Sequence, residues 1–395
     1  MNHQFPISTA SLDVKSITAT IERALACAGL QTQSGPMQGV TETVRRALAS
    51  AGMSINSQPA TDTSAIDVEA RVIGAPQSEP TELRRSASAN ERVAPGQFVT
   101  RQFANLAGAR SYKLYVPVSN PGALMPLLVM LHGCTQSPDN FAAGTQMNRL
   151  AEKHGFVVVY PEQAANANGS KCWNWFRSSD QVRDSGEPSL IAGITREVAA
   201  YYPVDPRRIF VAGLSAGAAM AVILGEAYPE LYAGVGAHSG LPYGAAHDMP
   251  SAFAAMNGRG TGMPDLSNLP GVAAVTRKQA TRFVPTIAFH GEAGRTVGHG
   301  NGAELIKQAN ALLAAGAGES RSATTTGVSS RGRSYSRTVH SDAAGRPRVE
   351  SWVLHGSGHA WSGGNASGSY TDATGPDASA EMVRFFLELH QVGPA

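Results

Sequence analysis

The stretch RIFVAGLSAGAAM, residues 208–220, decides how the rest of this sequence is interpreted. It joins an apolar, β-branched run to an alanine-rich run through Gly213-Leu214-Ser215-Ala216-Gly217. A strand that passes into a helix over G-x-S-x-G predicts a serine raised on a tight bend, because glycines on both sides let the backbone turn sharply. Ser215 is therefore the candidate nucleophile.

From residue 96 onward, apolar runs alternate with amphipathic stretches. Several of the runs are continuously apolar, which is typical of strands buried on both faces. This order predicts βαβ units and a doubly wound, mainly parallel sheet; with the serine bend, the class is α/β and the fold an α/β-hydrolase. The strand runs lie at 112–118, 127–131, 156–160, 209–212, 235–238, 286–289 and 352–354, and the helical stretches at 141–154, 190–201, 218–228, 303–315 and 380–389. Residues 335–340 and 349–354 predict a hairpin that brings the last strand to the sheet edge.

The first 95 residues differ in character. Apolar residues recur at helical spacing in residues 1–53, which predicts a short helical N-terminal extension. Residues 54–95 are rich in Ser, Thr, Pro and Glu and predict a low-order, disordered linker. Residues 96–395 then form one α/β-hydrolase domain.

Composition excludes several classes of partner. The chain has 395 residues and a net charge of +2, and its Lys and Arg are scattered, so we expect no nucleic-acid partner and no polybasic membrane anchor. No apolar run approaches the roughly 20 residues that span a bilayer, and no signal-peptide pattern is visible at the start, which favours the cytoplasm. The sequence contains no metal-ligand spacing, phosphate loop or dinucleotide fingerprint, so no metal and no cofactor are expected.

A second motif, Leu131-His132-Gly133-Cys134-Thr135-Gln136, ends an early strand run. Hydrolases of this fold take one oxyanion-hole donor from the loop after that strand and the other from the residue that follows the nucleophile. We assign the two donors to the backbone amides of Cys134 and Ala216. Losing one such donor costs about a hundredfold or more in rate.

The general base should follow the nucleophile along the chain. Among 11 histidines, His359 lies in a glycine-rich loop directly after the last strand run, and it is the candidate base. The acid belongs to the loop after residues 286–289, where Glu292 is the available carboxylate. Asp248, in the loop after the preceding strand run, is the alternative.

Five motifs in fixed order carry a resemblance to a known family: LHGCTQSPDNFA (131–142), KCWNWF (171–176), VAGLSAGAAM (211–220), HSGLPYG (238–244) and GHAWSGG (358–364). Together they resemble the polyhydroxybutyrate (PHB) depolymerase family of esterases, which also includes feruloyl and acetylxylan esterases. The resemblance covers about residues 97–390. It implies ester hydrolysis through an acyl-serine, with Ser215 as nucleophile, His359 as base and Cys134 in the oxyanion loop.

The chain departs from the family pattern at one position. Members of this family resemble HG-x-x-D-x-T-V after the strand, with the aspartate as triad acid, whereas this sequence has Gly294 there. Either Glu292 has taken over or the activity is reduced.

The resemblance also bears on cysteines, aromatic residues and location. It implies either a disulfide between Cys134 and Cys172 or two reduced buried thiols. Trp173, Trp175 and Trp361 are expected near the mouth of the site as substrate-binding rings, with core packing as the alternative. Family members are often secreted, which conflicts with the absence of a visible signal peptide and leaves the location open.

The sequence therefore predicts a serine esterase acting on a polyester or on short acyl esters. The alternatives are a feruloyl or acetylxylan esterase, a serine peptidase of the same fold, and a weakened or non-catalytic binding protein. Only the change at Gly294 favours the last of these.

Overall fold

The structure is a computed structural model, and it describes residues 96–118, 123–258, 283–317 and 321–389. The chain divides into two units, Met1–Asn90 and Glu91–Ala395. All described residues belong to the second unit. The extension predicted for residues 1–53 lies outside the described residues, and so does the linker predicted for 54–95.

The described residues form one large sheet, one pair of very short strands and the helices around them. The strands are β1 (Phe98–Asn105), β2 (Gly108–Tyr115), β3 (Met125–Leu131), β4 (Val157–Pro161), β5 (Val204–Leu214), β6 (Gly234–His238), β7 (Thr286–Gly291), β8 (Arg321–Val328), β9 (Ser334–Ser341), β10 (Pro347–Leu354), β11 (Trp361–Ser362) and β12 (Thr371–Asp372). The helices are α1 (Pro138–Thr145), α2 (Met147–His154), α3 (Gly186–Tyr201), α4 (Ala216–Ala227), α5 (Met249–Met256), α6 (Gly300–Ala317) and α7 (Ala378–Glu388), with a 3₁₀ turn at Ser178–Asp180. None of these helices has the length and apolar character that crossing a bilayer requires.

The large sheet has the strand order β1-β2-β4-β3-β5-β6-β7-β10-β9-β8. The six strands from β4 to β10 in this order are parallel to one another, while β1 and β2 at one end and β9 and β8 at the other pair antiparallel. The predicted α/β-hydrolase fold with a mainly parallel sheet is confirmed. The carboxyl ends of six strands therefore meet along one edge, where this fold carries its site.

Apolar side chains cover both faces of the sheet. In β3, Leu127, Val129 and Leu131 belong to one buried cluster, whereas Leu128 and Met130 belong to another on the opposite face. Because successive side chains of a strand point to opposite faces, a strand buried on both sides needs an uninterrupted apolar run. This requirement explains why β3 could be recognised in the sequence.

Two parts of the fold differ from the sequence-based expectation. The hairpin of β9 and β10 forms, but β10 pairs with β7 on its other side, and β8 occupies the sheet edge. Strand β8 reads RSATTTGV and is almost entirely exposed, so it has no apolar pattern to reveal it. The single helical stretch predicted at 141–154 is two helices, because Gln146 between them has a positive φ of 55°.

Candidate active site

Ser215 lies at the bend between β5 and α4, with φ 58° and ψ −119°. This left-handed φ is unfavourable for a residue with a side chain and costs on the order of 1–3 kcal/mol, so the surrounding structure must hold it. Its amide donates to the carbonyl of His238 at the end of β6, at 2.9 Å. The serine is thus fixed at the carboxyl edge of the parallel strands.

The glycines on either side of Ser215 are required by close packing. A Cβ atom at Gly213 would lie 2.4 Å from the carbonyl carbon of Gly217, and one at Gly217 would lie 2.1 Å from the carbonyl oxygen of Leu131. Both distances are far inside van der Waals contact. Any side chain here would push the bend away from β3 and from the loop that follows it.

The two amides assigned to the oxyanion hole are available as donors. In the described part of the chain, neither the Cys134 nor the Ala216 amide donates a backbone hydrogen bond. Neighbouring groups hold the Cys134 loop, since the Gly133 amide donates to the Gln136 side chain at 2.9 Å and the Thr135 amide to the Ser170 carbonyl at 2.7 Å. A pair of fixed, unengaged N–H groups is what stabilisation of a developing oxyanion requires.

A disulfide joins Cys134 to Cys172. The bridge that the family resemblance implied is therefore present in the structure. It links the loop after β3 to the loop after β4, and the two cysteines are 38 residues apart in the sequence.

His359 lies in the loop after β10, at the same sheet edge as Ser215. The next strand of this loop is tied to β6, because the Ser362 amide donates to Nε2 of His238 at 3.0 Å. His238 thus connects the serine bend to the histidine loop, a role the sequence did not reveal although HSGLPYG was noted as a motif. No direct hydrogen bond joins the Ser215 hydroxyl to the His359 ring in the described structure, and catalytic contacts of this kind commonly tighten only in the substrate complex.

The Nδ1 atom of His359 is buried and has no hydrogen-bond partner among the described residues. Burial, with a smaller contribution from the nearby His290 ring, lowers the pKa of His359 to about 4. An opposing carboxylate would raise this pKa by stabilising the imidazolium. The imidazole is consequently neutral at pH 7, as a base must be, but nothing in the described residues orients it through Nδ1.

Glu292 is not brought to His359. Its carboxylate lies 3.3 Å from Nδ1 of His355, and both of these side chains are partly exposed. The reason is backbone register, since the Glu292 amide donates to the carbonyl of Leu354 and keeps the residue beside the end of β10. The carboxylate therefore meets the histidine that ends the strand rather than the one four residues later.

Asp248, the alternative acid, caps a helix instead. It is the N-cap residue of α5, its side chain accepts from the Ser251 amide at 2.8 Å, and the Ser251 side chain completes a capping box. These hydrogen bonds lower the pKa of Asp248.

At the acid position of the family pattern, a Cβ atom on Gly294 would lie 3.1 Å from the carbonyl oxygens of Gly291 and Val297.

All three tryptophans expected at the mouth are buried. Trp173, Trp175 and Trp361 are 0%, 6% and 1% exposed. The indole N–H of Trp173 donates to the His132 carbonyl, and that of Trp361 to the Ser379 hydroxyl. The structure places these rings in the core, where they support the loops of the site, so the alternative of core packing describes them better than substrate binding.

Histidines gather around His359 in this region. The His290 and His299 rings meet edge to face at 5.9 Å, and burial holds the pKa of His238 well below its ordinary value. Burial likewise lowers the pKa of His290. The described residues contain no group of three or more His, Cys, Asp or Glu side chains placed to hold a metal ion.

Comparison with known proteins identifies the family. A family model described as "Esterase PHB depolymerase" matches residues 110–329, more than half of the chain. This chain belongs to the PHB depolymerase esterase family. The matched part of this family member contains Cys134 and Ser215, and it ends before His359.

Its similarity to individual proteins is partial. It is 33% identical over 250 residues to poly(3-hydroxyalkanoate) depolymerase C of Paucimonas lemoignei, covering 62% of this chain and 57% of the relative. It is 29% identical over 203 residues to acetylxylan esterase A of Aspergillus oryzae, covering 49% and 64% respectively. The chain thus spans less than two thirds of the length of these relatives. Among solved structures, an acetyl xylan esterase from Aspergillus awamori shares the fold, with a TM-score of 0.55 at 18% identity over 73% of this chain and 99% of that one.

Proposed function

We propose that this member of the PHB depolymerase family is a serine esterase that hydrolyses polyester or short acyl esters. The observation that carries the proposal is the strained bend at Ser215 beside the amides of Cys134 and Ala216, for which the described part of the chain provides no acceptor. A nucleophile held next to two unengaged N–H donors suits acyl transfer. Membership in an esterase family supports the same chemistry.

The reaction would proceed in two steps. Nε2 of His359 accepts the hydroxyl proton as the Ser215 oxygen attacks the ester carbonyl, and the amides of Cys134 and Ala216 hold the oxyanion. The tetrahedral intermediate collapses, the alcohol leaves with the proton from His359, and an acyl-serine remains. Water then attacks this ester, His359 takes its proton, and collapse returns the proton to Ser215 and releases the carboxylic acid. No cofactor enters either step.

The chain would perform this reaction with a serine–histidine pair. Neither Glu292 nor Asp248 reaches the His359 ring in the structure, and no carboxylate of the described residues fixes its tautomer through Nδ1. Removing the comparable aspartate from a serine protease lowers kcat about ten-thousandfold. We therefore expect a slow esterase.

The test of this function is the Ser215→Ala variant. Hydrolysis of p-nitrophenyl butyrate and labelling by a fluorophosphonate should both disappear, because each requires the serine oxygen. Ser322→Ala, on the exposed strand β8, is the matched control and should keep both. Full turnover by Ser215→Ala would overturn the assignment, and a wild-type chain that neither turns over nor reacts would indicate a non-catalytic binding protein.

The substrate class follows from a panel of esters. The relatives' names support two candidates, a polyester of hydroxyalkanoates and acetylated xylan. A polyester hydrolase clears a film of poly(3-hydroxybutyrate), whereas an acetylxylan or feruloyl esterase acts on decorated xylan or soluble hydroxycinnamate esters only. Cleavage of an aminoacyl amide would instead indicate a peptidase.

A further inference from the structure

Glu187, in the first turn of α3, has a buried carboxylate that the proposed mechanism does not use. Its side chain is 4% exposed. The carboxylate accepts from the backbone and the side-chain amide of Asn174, both at 2.7 Å, and from the Gln163 side chain. Nη2 of Arg110, 3.3 Å away, balances its charge. A buried carboxylate with so many donors fixes the groups around it, since water cannot replace the lost contacts.

Gln163 and Asn174, which donate to Glu187, both belong to the loop after β4, at the carboxyl edge of the sheet. Gln163 lies two residues after the end of β4, and its side chain also donates to the Cys172 carbonyl at 2.8 Å. The Gln163 amide donates to Nε2 of His132 at 3.1 Å. Asn174 lies two residues after Cys172, so Glu187 holds this loop on both sides of Cys172.

The loop after β4 in turn holds the oxyanion loop, residues 132–136. The Trp173 indole donates to the His132 carbonyl at 3.1 Å, and Cys172 is bonded to Cys134. Contacts thus run from the Glu187 carboxylate through Gln163 and Asn174 to the residues on both sides of the Gly133–Cys134 peptide. The direction of the Cys134 amide depends on that peptide.

We propose that Glu187 is a positioning residue that sets the direction of the Cys134 N–H toward the oxyanion. The inference rests on the proposed esterase function and adds to it. A negative charge cannot itself stabilise an oxyanion, so Glu187 would act through geometry alone. An oxyanion-hole donor is effective only when it is aimed at the position that the charge will occupy, and a displacement of about 1 Å can cost about a hundredfold in rate.

The test is Glu187→Gln, which keeps the shape but replaces one acceptor oxygen with an amide that cannot accept. Expected is a fall in kcat for p-nitrophenyl butyrate of about ten- to a hundredfold, with KM changed less than about threefold, because the donor acts on the transition state. Binding of an alkyl boronic acid, which forms a tetrahedral adduct with the serine, should weaken by a similar factor. The matched control is Glu350→Gln, on β10, which changes another buried carboxylate that pairs with Arg337 of β9 and Arg384 of α7.

The control should lose thermal stability without losing kcat. If Glu187→Gln has the kcat of Glu350→Gln and the same boronate affinity as wild type, the inference is wrong while the esterase function stands. If Glu187→Gln does not fold, Gln163→Leu decides. It removes the hydrogen bonds from the Gln163 side chain to Cys172 and Glu187, together with the one that this side chain accepts from the Ala164 amide, and it leaves the Glu187 carboxylate in place. A lowered kcat with unchanged KM supports the inference, and an unchanged kcat overturns it. If wild type and Glu350→Gln both fail to hydrolyse esters and to react with a fluorophosphonate, the proposed function fails and this inference fails with it.

Discussion

At the scale of single residues, the decisive feature is the buried Nδ1 of His359, which has no hydrogen-bond partner within residues 96–118, 123–258, 283–317 and 321–389. Gly294 stands where the family pattern has an aspartate. Its φ lies outside the left-handed region, so the backbone accepts a side chain, and the loop need yield only a few tenths of an ångström around a new Cβ atom. The residue that would complete the site can therefore be added and its effect measured.

We predict that Gly294→Asp raises kcat for p-nitrophenyl butyrate by about tenfold or more, since a carboxylate would fix the tautomer and stabilise the imidazolium. The pKa of His359 is about 4, and a neighbouring carboxylate raises it. Because the base works unprotonated, activity is lost as pH falls through this pKa. The acidic limb of the kcat/KM profile should therefore move to higher pH in Gly294→Asp.

The control for this prediction is Glu292→Gln. Its carboxylate faces His355, so kcat should change less than about twofold. A hundredfold loss would mean that Glu292 reaches His359 in solution and is the acid after all.

At the scale of elements, the N-terminus of α5 explains Asp248. An aspartate three residues before a serine, with a proline in the first turn, is a helix-start signal. The structure shows the complete capping box with Ser251. A carboxylate that caps a helix is held at the N-terminus of that helix, so it cannot also accept a hydrogen bond from a distant imidazole.

We predict that Asp248→Ala lowers the denaturant midpoint of unfolding while leaving kcat within about twofold of wild type, because it removes a cap and touches no reacting group. Ser251→Ala removes the reciprocal half of the box. The double variant should lower the free energy of unfolding by less than the sum of the two single variants, since the two residues interact. A large loss of kcat at unchanged stability would instead make Asp248 the catalytic acid.

The secondary-structure elements also show how much of the fold and of the site could be predicted from the sequence. Buried parallel strands such as β3 and β5 can be recognised in the sequence as apolar runs. The motifs around Ser215 and His359 predict that both residues lie on loops at the carboxyl edge of the sheet. Strand β8 could not be predicted, because its stability comes from pairing with β9 rather than from burial. The partner of Glu292 could not be predicted either, because His355 and His359 lie only four residues apart in the sequence. The backbone register beside β10 decides which of them the carboxylate meets.

At the scale of the whole molecule, histidines are buried in neutral form on several elements. Burial lowers the pKa of His132 to about 4 and holds that of His238 well below its ordinary value. Both are 0% exposed. In the unfolded chain these residues bind protons below about pH 6.5, whereas in the folded chain they stay neutral until a lower pH. Between these two pH values the unfolded state binds more protons, so protonation favours unfolding.

We predict that the free energy of unfolding is highest above pH 6.5 and falls as pH is lowered from 6.5 toward 5. Each such histidine contributes about 1.4 kcal/mol per pH unit in this window. Urea titrations at pH 7, 6 and 5 measure the slope. His132→Asn should make it shallower, whereas His247→Asn, at an exposed position, should not. A flat profile for the wild type would contradict the neutral burial of these rings.

The covalent bond between Cys134 and Cys172 has a consequence for anyone who prepares this protein. Dithiothreitol or a reducing host cell would break this bond and free the backbone beside the donor amide, without changing the serine itself. Two preparations with identical sequence would then differ in rate, and also in melting temperature, because the disulfide constrains the unfolded chain. A thiol titration belongs beside every activity measurement.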